Sequence, residues 1–217
     1  MSAPLDPDLL IRAYAAGVFP MADDADAEDV FWVEPRRRGV LPLDHFHLSR
    51  SLAKTLKQER FEHRVDTAFD TVVSACADRD GTWINGQIRT GYSKLHERGL
   101  AHSVECWANN ELVGGLYGVR LAGAFFGESM FTRRTDASKA AFAHLVARLR
   151  VGQFTLLDTQ FLTDHLASLG AVDVSKARYR TLLDAALNID ADFNQLTETV
   201  SGPVSGKDIV QLLTQTS

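Results

Sequence analysis

The chain has 217 residues, of which 45% are hydrophobic and 24% charged, a composition typical of a soluble globular protein. Its formal net charge of −5 gives no general attraction to nucleic acid, so any such binding requires a local basic patch. Residues 1–8 lack the basic and apolar regions of a signal peptide, and no apolar run reaches the roughly 18 residues of a membrane span, so a cytoplasmic protein is expected.

The first predicted element is a short helix with clear ends. Asp6 is a favoured N-cap, Pro7 is a favoured first helical residue, and Gly17 is a favoured terminator. A turn is predicted at 18–21, followed by a solvated loop over the acidic run 22–29.

The second predicted helix has two distinct faces. Its apolar positions recur every four residues at Leu48, Leu52 and Leu56. Its cationic positions, here named the basic stripe, are Arg50, Lys54 and Lys57. A cationic helix face is usually only solvated, and contact with nucleic-acid phosphates is the alternative.

Two further helices are predicted before the sequence period changes. One spans 69–76, with Asp66 as its expected N-cap, and the other runs from Ile88 to Arg98 and stops at Gly99. Cys76 and Cys106 form no CxxC pair, so neither a disulfide framework nor a zinc site is predicted.

Three antiparallel strands are then predicted at 102–107, 112–119 and 124–131, joined by turns at 109–110 and 121–123. A helix follows, with Asp136 as its expected N-cap and an apolar stripe at Phe142, Leu145, Val146 and Leu149. The run 154–160 returns as a strand, which gives one right-handed βαβ crossover. The predicted fold class is therefore a mixed α/β sheet, with the element order of acyltransferases of the GNAT type.

The pattern weakens toward the C-terminus. A short helix is expected at 163–169, closed by Gly170, and a detached tail helix at 205–214.

Three polar side chains interrupt apolar strands: Glu128, Asp158 and Gln160. An unpaired charge there would cost several kcal/mol, so these groups need partners or a function. Asp158 and Gln160 are two residues apart, so strand alternation predicts that both project from one face and converge on one site. A buried hydrogen-bonded pair that bridges strand and loop is the alternative interpretation.

A series of short motifs runs along the chain: Ala16-Gly17-Val18-Phe19-Pro20, His47-Leu48-Ser49-Arg50-Ser51, Gly81-Thr82-Trp83-Ile84, Glu111 through Val119, Gly127-Glu128-Ser129-Met130-Phe131, Ala137-Ser138-Lys139, Leu157-Asp158-Thr159-Gln160 and Asp164 through Ala171. Taken together, these motifs resemble those of the bacterial leucyl/phenylalanyl-tRNA–protein transferases over residues 9–187. Each motif is weak alone, whereas their order and spacing are specific.

The resemblance implies transfer of leucine or phenylalanine from aminoacyl-tRNA to proteins that begin with Arg or Lys, which marks them for N-end-rule degradation. It implies a small N-terminal domain (1–34), a GNAT-like aminoacyl transferase domain (35–190) and a C-terminal tail (191–217). A cytoplasmic monomer that needs neither metal nor cofactor and has no membrane association is expected.

The resemblance also assigns residues to the site. Asp158 and Gln160 would be the catalytic pair, with Glu128 as a nearby acidic partner. Because a carboxamide is too weak a base to deprotonate an ammonium, Gln160 would orient the amine, and Asp158 would polarise Gln160 or relay the proton. The donor side chain would occupy a slot formed by Leu116, Phe125, Met130, Phe142, Leu145 and Leu157, each an equally good core residue. The tRNA would contact Trp83 and the basic stripe.

Two other functions compete with this hypothesis. A GNAT acetyltransferase that uses acetyl-CoA needs a glycine-rich pyrophosphate loop, whereas residues 132–137 contain no glycine and place an acid at the helix cap. A noncatalytic protein that binds tRNA or degrons would retain the fold without turnover.

Overall fold

The computed structural model describes residues 5–200 and 202–215. The helices are α1 (Pro7–Ala15), α2 (Arg50–Lys57), α3 (Phe69–Ala77), α4 (Gly86–Glu97), α5 (Ala137–Val151), α6 (Asp164–Ser168), α7 (Lys176–Ala186), α8 (Gln195–Thr199) and α9 (Gly206–Thr214). The strands are β1 (Phe19–Met21), β2 (Phe31–Val33), β3 (Arg37–Leu41), β4 (Glu62–Val65), β5 (Ala101–Ala108), β6 (Glu111–Leu121), β7 (Ala124–Thr132), β8 (Leu156–Gln160) and β9 (Val172–Ser175).

A mixed sheet of seven strands, in the order β4-β5-β6-β7-β8-β3-β9, forms the centre of the fold. The predicted meander β5-β6-β7 is confirmed, and its first turn holds Asn109 and Asn110 at positive φ. Helix α5 connects β7 to β8, which is the parallel pair of this sheet, so the predicted βαβ crossover is also confirmed. The mixed α/β class is therefore correct.

Helices cover both faces of the sheet and divide the core into two clusters. Helices α2, α5, α8 and α9 pack on one face, and helices α1, α3, α4 and α7 pack on the other. Within the described residues, no helix is both long enough and apolar enough to cross a membrane.

Helix ends confirm one predicted cap and correct another. The Asp6 carboxylate accepts hydrogen bonds from the backbone N–H groups of Asp8 and Leu9, as expected for the N-cap of α1. Asp66 does not cap α3, whose N-cap position is Ala68. The buried Glu105 carboxylate on β5 accepts from the N–H groups of Thr67 and Ala68, so a distant strand holds the segment that leads into α3.

Asp136 occupies the N-cap position of α5 as predicted, although its carboxylate caps no α5 N–H group. The carboxylate instead accepts a hydrogen bond from Thr55 Oγ1 of α2, at 3.2 Å.

The expectation of a detached C-terminal helix is wrong. Helix α9 packs against α2 and α5, and Ile209 is fully buried. A Cβ at Gly206 would lie 2.2 Å from the carbonyl oxygen of Leu56, so close approach of the backbones requires glycine there. The Glu59 carboxylate accepts from the N–H groups of Gly206 and Lys207. Residues 216 and 217 of the predicted tail, and residues 1–4 of the predicted N-terminal segment, lie outside the described residues.

Several elements were not predicted. The segment expected to turn at 18–21 is strand β1, which forms an antiparallel hairpin with β2. The other missed elements are β3, β4, β9, α7 and α8.

Candidate functional site

A cavity of about 310 Å³ opens at the carboxyl ends of β7 and β8. The two strands pair only from Ala124–Leu156 to Phe126–Asp158, although β7 continues to Thr132. The cavity opens where this pairing stops, so side chains from both strands reach it. Its wall consists of Arg79, Trp83, Leu116, Tyr117, Gly127, Glu128, Ser129, Met130, Phe142, Leu145, Thr159, Gln160, Phe161, Thr163, His165 and Leu166.

Part of this wall is apolar and contains most of the predicted donor slot. Leu116, Met130, Phe142 and Leu145 line the cavity as expected. The other two predicted slot residues do not line it: Phe125 stacks on Phe193, with ring centroids 5.6 Å apart, and Leu157 is fully buried in β8. Both are core residues, which corrects their assignment to the slot.

Glu128 supplies a carboxylate to the same cavity. Tyr14 of α1 donates to its Oε1 at 2.6 Å, and Tyr92 of α4 donates to its Oε2 at 2.8 Å. Burial raises the pKa of Glu128 to about 7, although the two tyrosine donors and the nearby Gln160 carboxamide act in the opposite direction. The carboxyl can therefore exchange a proton near neutral pH.

Asp158 is fully buried and lies behind the cavity wall. Arg38 of β3 forms a bidentate ion pair with the carboxylate. Its Nε donates to Oδ1 at 2.9 Å, and its Nη2 donates to Oδ2 at 2.6 Å. Tyr179 of α7 donates to Oδ2 at 2.6 Å, and the backbone N–H of Gln160 donates to Oδ1 at 2.8 Å. The carboxylate engages the Gln160 backbone, which corrects the expectation that Asp158 polarises the Gln160 carboxamide.

Arg38 is itself enclosed. The guanidinium carbon lies 4.6 Å from the ring centroids of both Phe19 and Tyr179, and Nη1 donates to the carbonyl of Gly17. Only 1% of Arg38 is exposed. Cation–π contacts on both sides and a bidentate carboxylate compensate for the loss of hydration.

Gln160 faces the cavity from the end of β8. Its φ is +60°, a left-handed conformation that costs a non-glycine residue of the order of 1–3 kcal/mol. The register between β3 and β8 also shifts at Gly39 and Val40. The strict alternation of side chains along β8 therefore ends before Gln160. As a result Gln160 lines the cavity, whereas Asp158 does not. The Gln160 Nε2 atom is buried and has no hydrogen-bond partner among the described residues.

Trp83 lies on the cavity wall, as the predicted contact with tRNA requires. Its carbonyl accepts a hydrogen bond from the N–H of Ala22, directly after β1. The backbone of Met21, the residue before Ala22, therefore lies close to the backbone of Trp83. Arg79 lines the same cavity and is exposed to solvent.

The basic stripe on α2 is exposed and lies outside the cavity wall. None of its three side chains forms an ion pair within the described part of the chain. Thr55 of the same helix bonds Asp136, which lies 3.9 Å from Lys139 Nζ. Burial lowers the pKa of the cavity residue His165, and the charge of Lys139 lowers it further.

Four residues that hold the polar wall were not predicted as site residues: Tyr14, Arg38, Tyr92 and Tyr179. The sequence carries one usable signal, since Gly39 alone separates the Arg36–Arg38 run from the apolar Val40 and Leu41. An arginine drawn into a buried strand needs a carboxylate partner, although the sequence does not show which arginine is buried or which carboxylate it pairs with.

Comparisons with known proteins agree on one family. A family model for the leucyl/phenylalanyl-tRNA protein transferases matches residues 40–184, and a model for the N-terminal domain of that family matches residues 3–36.

Curated relatives with this activity match nearly the whole chain. The leucyl/phenylalanyl-tRNA–protein transferase of Rhizorhabdus wittichii is 56% identical over 245 residues, covering 98% of this chain and 99% of the relative. The enzyme with the same name from Ruegeria pomeroyi is 54% identical, covering 98% of this chain and 99% of the relative.

Among solved structures, the chain is similar to L-PGS from Bacillus licheniformis, with 14% identity and a TM-score of 0.41. The match covers 72% of this chain and 53% of that one, about half its length.

Proposed function

The chain belongs to the leucyl/phenylalanyl-tRNA–protein transferase family, and we propose that it transfers leucine or phenylalanine from aminoacyl-tRNA to the N-terminal amine of acceptor proteins. The proposed acceptors begin with Arg or Lys. Such a reaction marks these proteins for N-end-rule degradation. The site observation that supports this most directly is a single cavity with apolar side chains and a wall that carries Glu128 and Gln160.

The reaction joins an amine to an activated ester. The amine nitrogen attacks the ester carbonyl, the new C–N bond forms, and the bond to the ribose oxygen of the tRNA breaks. The attacking amine must be neutral and oriented, because an ammonium has no lone pair. The Gln160 carbonyl oxygen can accept a hydrogen bond from this amine and thereby aim it.

Glu128 is the proposed proton acceptor. Its pKa, raised to about 7 by burial, lies near the pH at which a general base is most effective. The proton taken from the amine can then be passed to the departing ribose oxygen, which balances the reaction. Asp158 is excluded from this step, since it lies behind the cavity wall and its two oxygens accept five hydrogen bonds from Arg38, Tyr179 and the Gln160 backbone.

The apolar wall is the proposed slot for the donor side chain. Leu116, Met130, Phe142 and Leu145 offer no hydrogen-bonding atoms, so they favour an apolar amino acid over a polar one. Trp83 would stack on the terminal adenosine of the tRNA, because aromatic side chains commonly bind unpaired bases in this way. The basic stripe would contact the phosphates of the acceptor stem.

The fold supports an aminoacyl donor over acetyl-CoA. The proposed architecture is GNAT-like, on the basis of the β5-β6-β7 meander followed by the parallel β7-α5-β8 unit. In the acetyl-CoA alternative, the N-terminus of α5 would bind a pyrophosphate. Asp136 places a carboxylate at that position, which repels phosphate.

We place the reaction in the cytoplasm, where charged tRNA is available. We propose a monomer, because one copy of the chain supplies both the apolar slot and the polar wall. Residues 1–34 are the proposed small N-terminal domain, residues 35–190 the transferase domain, and residues 191–217 a C-terminal extension.

The test is a transfer assay. Purified protein is incubated with radiolabelled Leu-tRNA and substrate proteins that begin with Arg, Lys, Asp or Met, and the incorporated label is measured. We expect label only in the Arg and Lys substrates. Label on the Asp substrate would refute the proposed acceptor range, and tRNA binding without any transfer would favour the noncatalytic alternative.

A matched pair of variants controls for the site. Gln160→Ala should lower transfer at saturating substrates by about 10²-fold or more. Gln153 is the control, because it is also a glutamine at positive φ, +62°, but is exposed in the loop after α5. Gln153→Ala should transfer at the wild-type rate.

A further inference from the structure

The contacts of Asp158 separate it from the cavity and attach it to the backbone of the residue that faces the cavity. Its Oδ1 accepts from the Gln160 N–H, and its Oδ2 accepts from Arg38 and Tyr179. This carboxylate does not line the cavity, and its hydrogen-bonded link to a cavity-lining residue is the backbone N–H of Gln160.

The backbone around Gln160 requires such support. Gln160 adopts a left-handed φ of +60°, which its own side chain does not favour. Gly39 of β3 is packed against the same segment: a Cβ there would lie 2.8 Å from Thr159 Oγ1 and 2.9 Å from the backbone nitrogen of Leu162. Strand β3 therefore holds this segment through Gly39 and through the side chain of the preceding residue, Arg38.

We propose that Arg38 and Tyr179 are positioning residues for the transfer reaction. They fix the orientation of the Asp158 carboxylate, which holds the Gln160 backbone N–H and so keeps the Gln160 carboxamide turned toward the cavity. The inference rests on the proposed role of Gln160. Under this proposal the buried Arg38–Asp158 ion pair orients Gln160 and takes no part in proton transfer.

The geometry of the guanidinium carries this assignment. Arg38 uses Nε and Nη2 together on the two carboxylate oxygens, and its guanidinium carbon lies over the rings of Phe19 and Tyr179. A planar fork fixes the rotation of a carboxylate, whereas the ammonium of a lysine supplies charge without fixing a plane.

Arg38→Lys is therefore the primary test, because it retains the charge and removes the fork. We expect kcat to fall about tenfold or more, while KM for aminoacyl-tRNA is unchanged. In amide NMR spectra, we expect the Gln160 N–H signal to shift and its hydrogen exchange to accelerate. Arg37→Lys is the matched control, since Arg37 lies on the same strand but is exposed and pairs with Asp173. It should match the wild type in both measurements.

Tyr179→Phe is the second variant, and it decides the question if Arg38→Lys does not fold. It removes the hydroxyl that donates to Asp158 and retains the ring that packs on Arg38. We again expect kcat to fall and the Gln160 N–H signal to shift with faster hydrogen exchange, and we expect the loss of kcat to be smaller than in Arg38→Lys.

Wild-type kcat in the folded variants would overturn the proposal. A lowered kcat with an unchanged Gln160 amide signal would overturn it as well, because the loss would then arise elsewhere. A Gln160→Ala variant that transfers at the wild-type rate would instead refute the role of Gln160 in the proposed function. Failure of the proposed function and failure of this inference can be told apart. The Gln160 amide signal in Arg38→Lys reports whether Arg38 holds the Gln160 backbone through Asp158, whatever the activity.

Discussion

Replacement of Glu128 by glutamine should change how the stability of the protein depends on pH. The pKa of this buried carboxyl rises from 4.5 to about 7 on folding. The folded state therefore binds its proton more tightly than the unfolded state, and stability falls as pH rises between these values. At pH 5 the carboxyl costs about 1 kcal/mol of folding free energy, and at pH 8 it costs about 3 kcal/mol.

Glu128→Gln removes this titration and keeps the shape of the side chain. The free energy of unfolding of the variant, relative to wild type, should therefore increase by about 2–3 kcal/mol between pH 5 and pH 8. Urea unfolding of both proteins at pH 5, 6, 7 and 8 measures this difference, and all other titrating groups cancel in the comparison. A stability difference that is constant with pH, or that falls as pH rises, would refute the reasoning about the buried carboxyl.

Three further outcomes are expected. Leu116→Trp should reduce kcat/KM for Phe-tRNA about tenfold more than for Leu-tRNA, since an apolar slot discriminates by size; equal losses with a lower Tm would show a core residue only. Charge reversal of the basic stripe should weaken tRNA binding and reduce the slope of log affinity against log salt by roughly one per lost phosphate contact, and an unchanged slope would exclude the stripe from the interface. Gly39→Ala should lower stability by about 1–3 kcal/mol in urea unfolding, because its Cβ would overlap Thr159; Gly86→Ala, which meets open space, is the control.

Local patterns in the sequence were sufficient for the central part of the fold. The β5-β6-β7 meander has favourable turn residues, and the apolar positions Phe142, Leu145, Val146 and Leu149 of α5 recur at helical spacing. Elements that depend on distant partners were missed. Strand β3 contains Arg37 and Arg38 beside Gly39, a composition that predicts no strand without knowledge of β8 and β9 on its two sides. Asp66 was a plausible cap for α3, but its carboxylate instead bonds the His102 ring and the backbone N–H of Ser103 on β5.

The same distinction applies to the candidate site. Glu128 and Gln160 were identifiable because each is a polar residue in an otherwise apolar strand. The hydrogen-bond partners of Asp158 were not identifiable, since Arg38 lies 120 positions away and the two adjacent arginines are indistinguishable from it by composition. Phe125 and Met130 are equally apolar, and only their surroundings in the folded chain decide which of them reaches the cavity. The register between β6 and β7 shifts so that Glu128 is an extra residue in β7, and side-chain alternation in β7 changes between Phe125 and Met130.

The contacts of the first helix with the polar wall bear on how the site is assembled. Tyr14 bonds Glu128, and the carbonyl of Gly17 and the ring of Phe19 enclose Arg38. A fragment that starts at residue 37 would hold Glu128, Asp158 and Gln160 yet lack these supports. We therefore expect such a fragment to be inactive alone, and expect a separate peptide of residues 1–36 to restore transfer by complementation.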